Sequence, residues 1–334
     1  MSLSRQGIPS TLPGSWASSC HRIRWQGGHV VQTIADYDSN EYDYRTYWDG
    51  RDYERWAEER ALGRLIRLLG TPDWLADFGG GYGRNAVHYR DRARHYVIVD
   101  GSATNLRNAA VELGADVAAG RAFLVRSDLN ALPFRPYAFD AAIVVRVLHH
   151  LPDLDGALAR MAGTVGGRFL LDVPIKHHLL ARLRGGPVRG ADPVRTGTSE
   201  SPFWNFQLDA VRHAMTRYGW RTRPVASVNN LRRWDRLLPG GAVRVLDPAV
   251  RVVELAAQRL GRGWWGPSQF VLAQRVRGPR SVAADVPPGV PLLAGRMCCP
   301  ACRGRLAWAP AVATCLTCAT TYRWDGPVWD FTIR

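Results

Sequence analysis

The sequence predicts a doubly wound α/β fold with a mostly parallel sheet, followed by a small C-terminal module built on four cysteines. Three observations carry this expectation. Short apolar runs alternate with helical stretches between residues 74 and 173, a glycine-rich turn separates the first run from the helix after it, and two C-x-x-C pairs stand close together near the C-terminus. Strands that alternate with helices must be joined by crossovers, which makes neighbouring strands parallel and covers both faces of the sheet.

The first 35 residues are rich in Ser, Gly and Pro without a sustained period, so an N-terminal arm is expected over 1–35. From Asp36 aromatic and charged residues interleave, through Tyr37, Tyr42, Tyr44, Tyr47, Trp48 and Tyr53. They lead into a helix over 52–69 that carries Trp56, Leu62, Leu65, Ile66 and Leu69 on one face. Buried strands are expected at 74–78, 96–100, 123–125, 141–145 and 169–173, with helices beginning near Arg84, Ser102 and Asp153, each opened by a turn or cap residue. Residues 185–202 are dense in Gly, Pro, Thr and Ser and too long for an ordinary connection, which marks a candidate lid over 185–205. Helices near 206–218 and 248–260 and a late strand at 269–274 would complete the sheet. The expected organisation is a main domain over 36–277, a proline-rich linker over 278–291 and a ribbon over 292–334.

A chain of 334 residues with 46% hydrophobic content can bury a substantial core. No basic start followed by an apolar stretch and no long uncharged run is present, so a soluble, cytoplasmic protein without membrane partner is expected. The formal charge of +15 raises the expectation of an anionic partner, but Lys176 is the only lysine, and arginines spread through an Ala- and Gly-rich chain point equally to compositional bias. Of six cysteines, Cys20 and Cys298 stand outside the paired motifs and read as incidental thiols, Cys298 as a potential competitor of its neighbour.

Asp77-Phe78-Gly79-Gly80-Gly81-Tyr82-Gly83 follows a predicted strand and precedes a predicted helix. Glycines there permit a sharp bend and bring a ligand against backbone at a helix start. The next strand ends in Asp100, where a carboxylate can accept from two ribose hydroxyls. On these two features alone NAD remains an alternative.

The ends of the third and fourth strands carry a fuller resemblance. Asp100-Gly101-Ser102, then Asp128-Leu129 ahead of Leu132-Pro133-Phe134, then the segment 139–153 with Arg146-Val147-Leu148-His149-His150, resemble the class I, Rossmann-like S-adenosylmethionine-dependent methyltransferases over 77–174. The resemblance implies that Asp77 and Gly79, Gly80, Gly81 and Gly83 form the loop against the methionine and ribose parts of the cofactor. It implies further that Asp100, Gly101 and Ser102 hold the ribose, Asp128 and Leu129 the adenine, and Arg146 and Val147 the acceptor side. His149 or His150 could serve as a general base, or the pair could simply pack the next helix while proximity carries the transfer. No Asn-Pro-Pro-Tyr follows the fourth strand, which argues against amino-methylation of adenine or glutamine. The aromatic stretch around Tyr47 resembles the helical lid of this family, giving an N-terminal lid helix over 36–70.

Cys299-Pro300-Ala301-Cys302 and Cys315-Leu316-Thr317-Cys318, with twelve residues between the pairs, have the spacing of a zinc ribbon. Four thiolates suit tetrahedral zinc, with rubredoxin-like iron as the alternative, and leave no open position, so a structural metal is expected. The wider segment, with Leu292-Leu293 before it and 322–328 after it, resembles the small zinc-binding activators of tRNA, rRNA and translation-factor methyltransferases. The expected function is methyl transfer from S-adenosylmethionine to a small-molecule acceptor such as a metabolite, natural product or quinone-like ring. An RNA methyltransferase with an in-cis activator and a non-catalytic cofactor-binding scaffold are the alternatives.

Overall fold

The computed structural model describes residues 44–185, 190, 192–197, 202–232, 234, 240–276, 285–286, 288–324 and 326–333. The predicted arm, Cys20, and parts of the candidate lid and linker lie outside the described residues. Thr33–Arg334 cluster as one compact unit.

A 3-10 turn, Tyr44–Trp48, leads into α1 (Asp52–Leu65), which continues as a 3-10 turn over Ile66–Leu69. The alternating section follows as β1 (Trp74–Phe78), α2 (Ala86–Tyr89), β2 (His95–Asp100), α3 (Ala103–Glu112), α4 (Gly114–Ala118), β3 (Ala122–Arg126), β4 (Phe139–Val144), α5 (Leu154–Gly163) and β5 (Val165–Pro174). Beyond it come α6 (Leu179–Leu183), a hairpin of β6 (Val194–Gly197) and β7 (Pro202–Asn205), α7 (Leu208–Arg217), β8 (Trp220–Val228), α8 (Gly240–Leu260) and β9 (Ser268–Arg275). The C-terminal segment holds a 3-10 turn, Leu292–Arg296, then β10 (Leu306–Ala309), β11 (Val312–Cys315), β12 (Thr321–Arg323) and β13 (Val328–Asp330).

Eleven of the thirteen described strands form one sheet in the order β10-β11-β12-β13-β3-β2-β1-β4-β5-β9-β8, and β6 and β7 pair separately. From β13 to β5 every pairing is parallel, and β9 and β8 are antiparallel. Strand order reverses between β1 and β4, which opens a crevice at their carboxyl ends. All five residues of β1 are buried, as a strand covered on both faces requires. One core contains Phe78, Phe134, Phe139 and Phe169. A second core contains Tyr89, Tyr96, Ile98 and Leu62. Ser102 caps α3 by accepting from the Asn105 amide, and Asp153 caps α5 by accepting from the Gly156 amide, as their positions predict.

Three expectations change. The helix expected from Arg84 is a single turn at Ala86–Tyr89, because Tyr89 turns inward, its hydroxyl donating to Asp77 Oδ2 at 2.9 Å. The strand near 269–274 does not complete the sheet: β9 lies between β5 and β8, and β8 is the edge. The signal for β8 is broken. Arg221 and Arg223 alternate outward as a half-buried strand requires, but Pro224 lacks an amide and the register shifts between Pro224 and Ala226. Proline is tolerated there because the outer side of an edge strand has no partner to satisfy. Finally, α8 begins well before Pro248 and carries it inside the helix. Glu254 holds the C-terminal half, accepting from the Tyr53 hydroxyl at 2.6 Å and from the Asn229 and Asn230 amides at 3.1 and 3.0 Å.

The cysteine segment continues the main sheet. β13 pairs with β3, placing Val328, Trp329 and Asp330 opposite Leu124, Val125 and Arg126. Trp329 and Phe331 are buried in the same core as Phe134. The loop after β3 receives the ribbon: Cys298 N–H donates to the Pro133 carbonyl at 2.9 Å, Arg303 Nη1 to the Leu132 carbonyl at 2.7 Å and Arg135 N–H to the Arg296 carbonyl at 2.9 Å.

Candidate functional site

The glycine turn after β1 is built by backbone geometry that side chains oppose. Gly79, Gly81 and Gly83 have φ of 69°, 57° and 81°, in the left-handed region. A Cβ on Gly79 would come within 2.3 Å of Val147 Cγ2, and one on Gly83 within 2.8 Å of Leu113 Cδ1. Amides of Gly79 and Gly80 both donate to the Val99 carbonyl, at 2.7 and 3.2 Å, which ties the turn to the end of β2.

Asp100, the last residue of β2, faces that turn. Its Oδ2 accepts from the Gly81 amide and its Oδ1 from the Ser102 amide, both at 2.9 Å. Two backbone donors therefore hold this carboxylate in place at the crevice wall. At the end of β3, Ser127 is fully buried and its hydroxyl donates to the Ala131 carbonyl at 3.0 Å, while exposed Asp128 accepts from the Asn130 amide at 2.8 Å in an Asx turn.

These segments enclose a cavity of about 360 Å³ at the carboxyl ends of β1 to β4. Its lining brings together the predicted Gly79, Gly80 and Gly81, the predicted Asp100, Gly101 and Ser102, and the predicted Asp128, Leu129, Arg146, Val147 and His150. Asp77, Gly83 and His149 are not among its lining residues. Asp77 lies beneath the turn, where a Cβ on Gly80 would approach its Cγ to 2.9 Å, and burial raises its carboxyl to about 7.

Sequence reasoning missed Tyr82, Arg84, Asn85, Asn105, Ser127 and Thr332, together with Val145 and Leu151. All but Thr332 lie within a few positions of the recognised motifs, so proximity in the chain was a usable signal; Thr332 comes from the ribbon and had none. Asn85 Oδ1 is buried in the wall without a hydrogen-bond partner, an acceptor suited to an ammonium or amide donor in the cavity.

Arg146 adopts φ 60°, and its amide donates to Asp172 Oδ2 at 3.2 Å. Its guanidinium lies 4.6 Å from the Tyr47 ring centroid and 5.0 Å from that of Trp48, pairs with Glu58 at 3.4 Å and donates to the Tyr47 hydroxyl. Arg84 pairs with the same Glu58 and lies 4.4 Å from the Trp48 ring centroid. The Tyr44–Trp48 turn is thus held on two arginines of the cavity wall. Burial, with Glu58 second, raises the Asp172 carboxyl to about 6.

His149 and His150 share a 3-10 turn with ring centroids 4.0 Å apart. His149 stacks on Phe203 of β7 at 4.0 Å. Burial holds His149 well below the ordinary imidazole range, and burial with the Arg146 charge pushes His150 down to about 4. Both rings are neutral at pH 7.

In the ribbon, the Sγ atoms of Cys299, Cys302, Cys315 and Cys318 all lie within 4.8 Å of one another. Separations are 3.7 Å for Cys299–Cys318 and 3.4 Å for Cys302–Cys315 and Cys302–Cys318. Tetrahedral zinc with bonds of about 2.3 Å sets sulfurs about 3.8 Å apart, close to these three separations. Amides of Thr317 and Cys318 point at Cys315 Sγ from 3.3 and 3.5 Å, as a knuckle requires. Cys298 is buried outside this four-thiol group.

Residues 76–170 match the family model described as a methyltransferase domain. No curated protein matches the chain. Among solved structures, the fold is similar to a putative S-adenosylmethionine-dependent methyltransferase from Listeria monocytogenes, at 11% identity and a TM-score of 0.50, covering 68% of this chain and 100% of that one. Magnesium protoporphyrin IX methyltransferase from Synechocystis with bound SAH matches at 15% identity over 72% of this chain and 96% of that one, TM-score 0.48. The 1,6-didemethyltoxoflavin-N1-methyltransferase of Burkholderia thailandensis matches at 16% identity over 70% and 85%, TM-score 0.43. The matched segment is a methyltransferase domain, and the fold is similar to that of the Listeria structure. No described helix is long and apolar enough to cross a membrane.

Proposed function

We propose that the protein transfers a methyl group from S-adenosylmethionine to a small-molecule acceptor. The observation that carries this reading is the convergence of the glycine turn, Asp100 and Asp128 on one cavity of about 360 Å³ at the strand-order reversal, a volume within the roughly 300–1,000 Å³ of small-molecule sites. The cofactor supplies an activated methyl group on a sulfonium sulfur. Gly79 and Gly81 leave backbone open to it, Asn85 Oδ1 accepts from its ammonium, Asp100 accepts from the ribose hydroxyls, and Asp128 with Leu129 takes the purine. Arg146 and Val147 border the acceptor side, and the Tyr47–Trp48 turn packs on Arg146 beside it, where a lid would sit. With its imidazole at about 4, His150 is a weak base at neutral pH. Orientation of the acceptor, with its proton passing to solvent, therefore supports the transfer better than general-base catalysis does.

Zinc held by Cys299, Cys302, Cys315 and Cys318 belongs to the same proposal as a structural ion, supported by the thiol spacing. The test is calorimetric titration of the full chain with S-adenosylhomocysteine, followed by incubation with methyl-labelled cofactor and fractionated cell extract. Label in the small-molecule fraction is expected. Label in RNA would favour the activator-like alternative, and binding without any transfer would favour a scaffold.

A further inference from the structure

We propose that the C-terminal tail of the cysteine ribbon is part of the cofactor site, with the Thr332 hydroxyl accepting a hydrogen bond from the amino edge of the bound purine. The proposal rests on the cofactor reading above and assigns to the ribbon a binding role distinct from stabilisation.

Thr332 lines the same cavity as Asp128 and Leu129, although about two hundred positions separate them in the chain. Its place is fixed from three directions. β13 runs parallel to β3 with Asp330 opposite Arg126, and the Phe331 amide donates to the Arg126 carbonyl at 2.8 Å. Arg126 joins both sides of the site, with Nη1 3.4 Å from Asp330 Oδ2 and Nε donating to the Gly101 carbonyl at 3.1 Å. Phe331 is fully buried and stacks on Tyr322 at 4.8 Å, and the Tyr322 hydroxyl lies 3.1 Å from Cys299 Sγ. A continuous packed path therefore runs from the thiol cluster to the cavity wall.

The hydroxyl's polarity is also fixed. Thr332 Oγ1 donates to Asp330 Oδ1 at 2.7 Å, and the Thr332 amide donates to the same oxygen at 3.0 Å. With its single proton committed, the hydroxyl offers acceptor lone pairs. The same cavity is lined by Asp128, whose carboxylate is another acceptor. Two acceptors lining one cavity complement an exocyclic amine and oppose a carbonyl in its place, the arrangement from which strong discrimination between hydrogen-bonding partners comes.

The experiment compares the full-length chain with Thr332→Val, which keeps the shape and removes the hydroxyl. Each is titrated with S-adenosylhomocysteine and with S-inosylhomocysteine, in which a carbonyl replaces the purine amine, and each is unfolded thermally. The expected result is S-adenosylhomocysteine binding about tenfold weaker in Thr332→Val, the scale of one hydrogen bond. S-inosylhomocysteine binding should be unchanged within about twofold and the unfolding midpoint preserved. Equal loss of both ligands with a lowered midpoint overturns the proposal in favour of a packing role. Unchanged affinity for S-adenosylhomocysteine overturns it while leaving the cofactor reading intact. A wild-type chain that binds neither ligand overturns the cofactor reading and this inference together.

Discussion

Replacing Asp100 by alanine removes two kinds of interaction that differ in their readout. In the free protein the carboxylate accepts from the Gly81 and Ser102 amides, both at 2.9 Å. A hydrogen bond to a charged group is worth about 1.5–3 kcal/mol, so losing two lowers folding stability by roughly 3–6 kcal/mol. In the bound protein the same carboxylate would also accept from ribose, and hydrogen bonds to a charged group are worth about 1.5–3 kcal/mol. At about 1.4 kcal/mol per decade that weakens S-adenosylhomocysteine binding by roughly 10- to 150-fold. Asp100→Asn separates the two, since one amide oxygen retains an acceptor for a loop amide while the charge is lost. Asn should therefore recover part of the stability and little of the affinity. Calorimetric titration measures the affinity and thermal unfolding the stability. An Asp100→Ala chain that binds S-adenosylhomocysteine within twofold of wild type would falsify the ribose role.

Gly79→Ala should reduce cofactor binding more than tenfold and lower the unfolding midpoint, because φ 69° costs an L-residue about 1–2 kcal/mol and the added Cβ would approach Val147 Cγ2 to 2.3 Å; titration and a melting scan check both. His150 titrates near 4 in the folded chain against an ordinary 6.5. Between those values the unfolded state binds more protons, so its contribution is complete above pH 6.5 and lost as pH falls toward 4. His150→Asn should remove up to about 3 kcal/mol of that acid-side loss, measured as the difference between wild-type and variant unfolding free energies from pH 7 to pH 4, and parallel curves would contradict it. Asp77 and Asp172 act in the opposite sense: their raised values favour the folded state at low pH and lose that contribution as pH rises from 3.8 through about 7 and about 6 respectively, so Asp77→Asn should flatten the decline between pH 4 and pH 7 in the same assay. Metal analysis should find one zinc per chain, and Cys302→Ser should lower the metal content and the unfolding midpoint together; a metal-free chain with unchanged melting would contradict the structural ion. RNA should bind weakly and lose affinity by about one log-log slope unit per neutralised phosphate as salt rises, because the arginines are dispersed along the chain; tight binding at physiological salt would reverse the preference for a small acceptor.

Features set by a few adjacent residues were determined in the sequence. Glycines at 79, 81 and 83 announce a turn because only a residue without Cβ accepts their positive φ at so little cost, and the acid that faces this turn ends the next strand within the same βαβ unit. Two C-x-x-C pairs announce a ligand set because a knuckle closes over two intervening residues. Helix starts at Ser102 and Asp153 follow from side chains that reach amides three positions on.

What the tertiary structure alone decided depends on groups that sequence does not distinguish. The pairing of β13 with β3 uses backbone N–H and C=O groups, which every non-proline residue carries, so nothing in 328–330 names its partner edge. The imidazole of His150 is pushed down to about 4 by desolvation and the nearby Arg146 charge, and desolvation is a property of everything packed around a group rather than of its neighbours in the chain. Glu58, joined to Arg84 and Arg146 from a helix well upstream of both, and Thr332, carried into the cavity by the last strand, are products of that same folding together of distant segments.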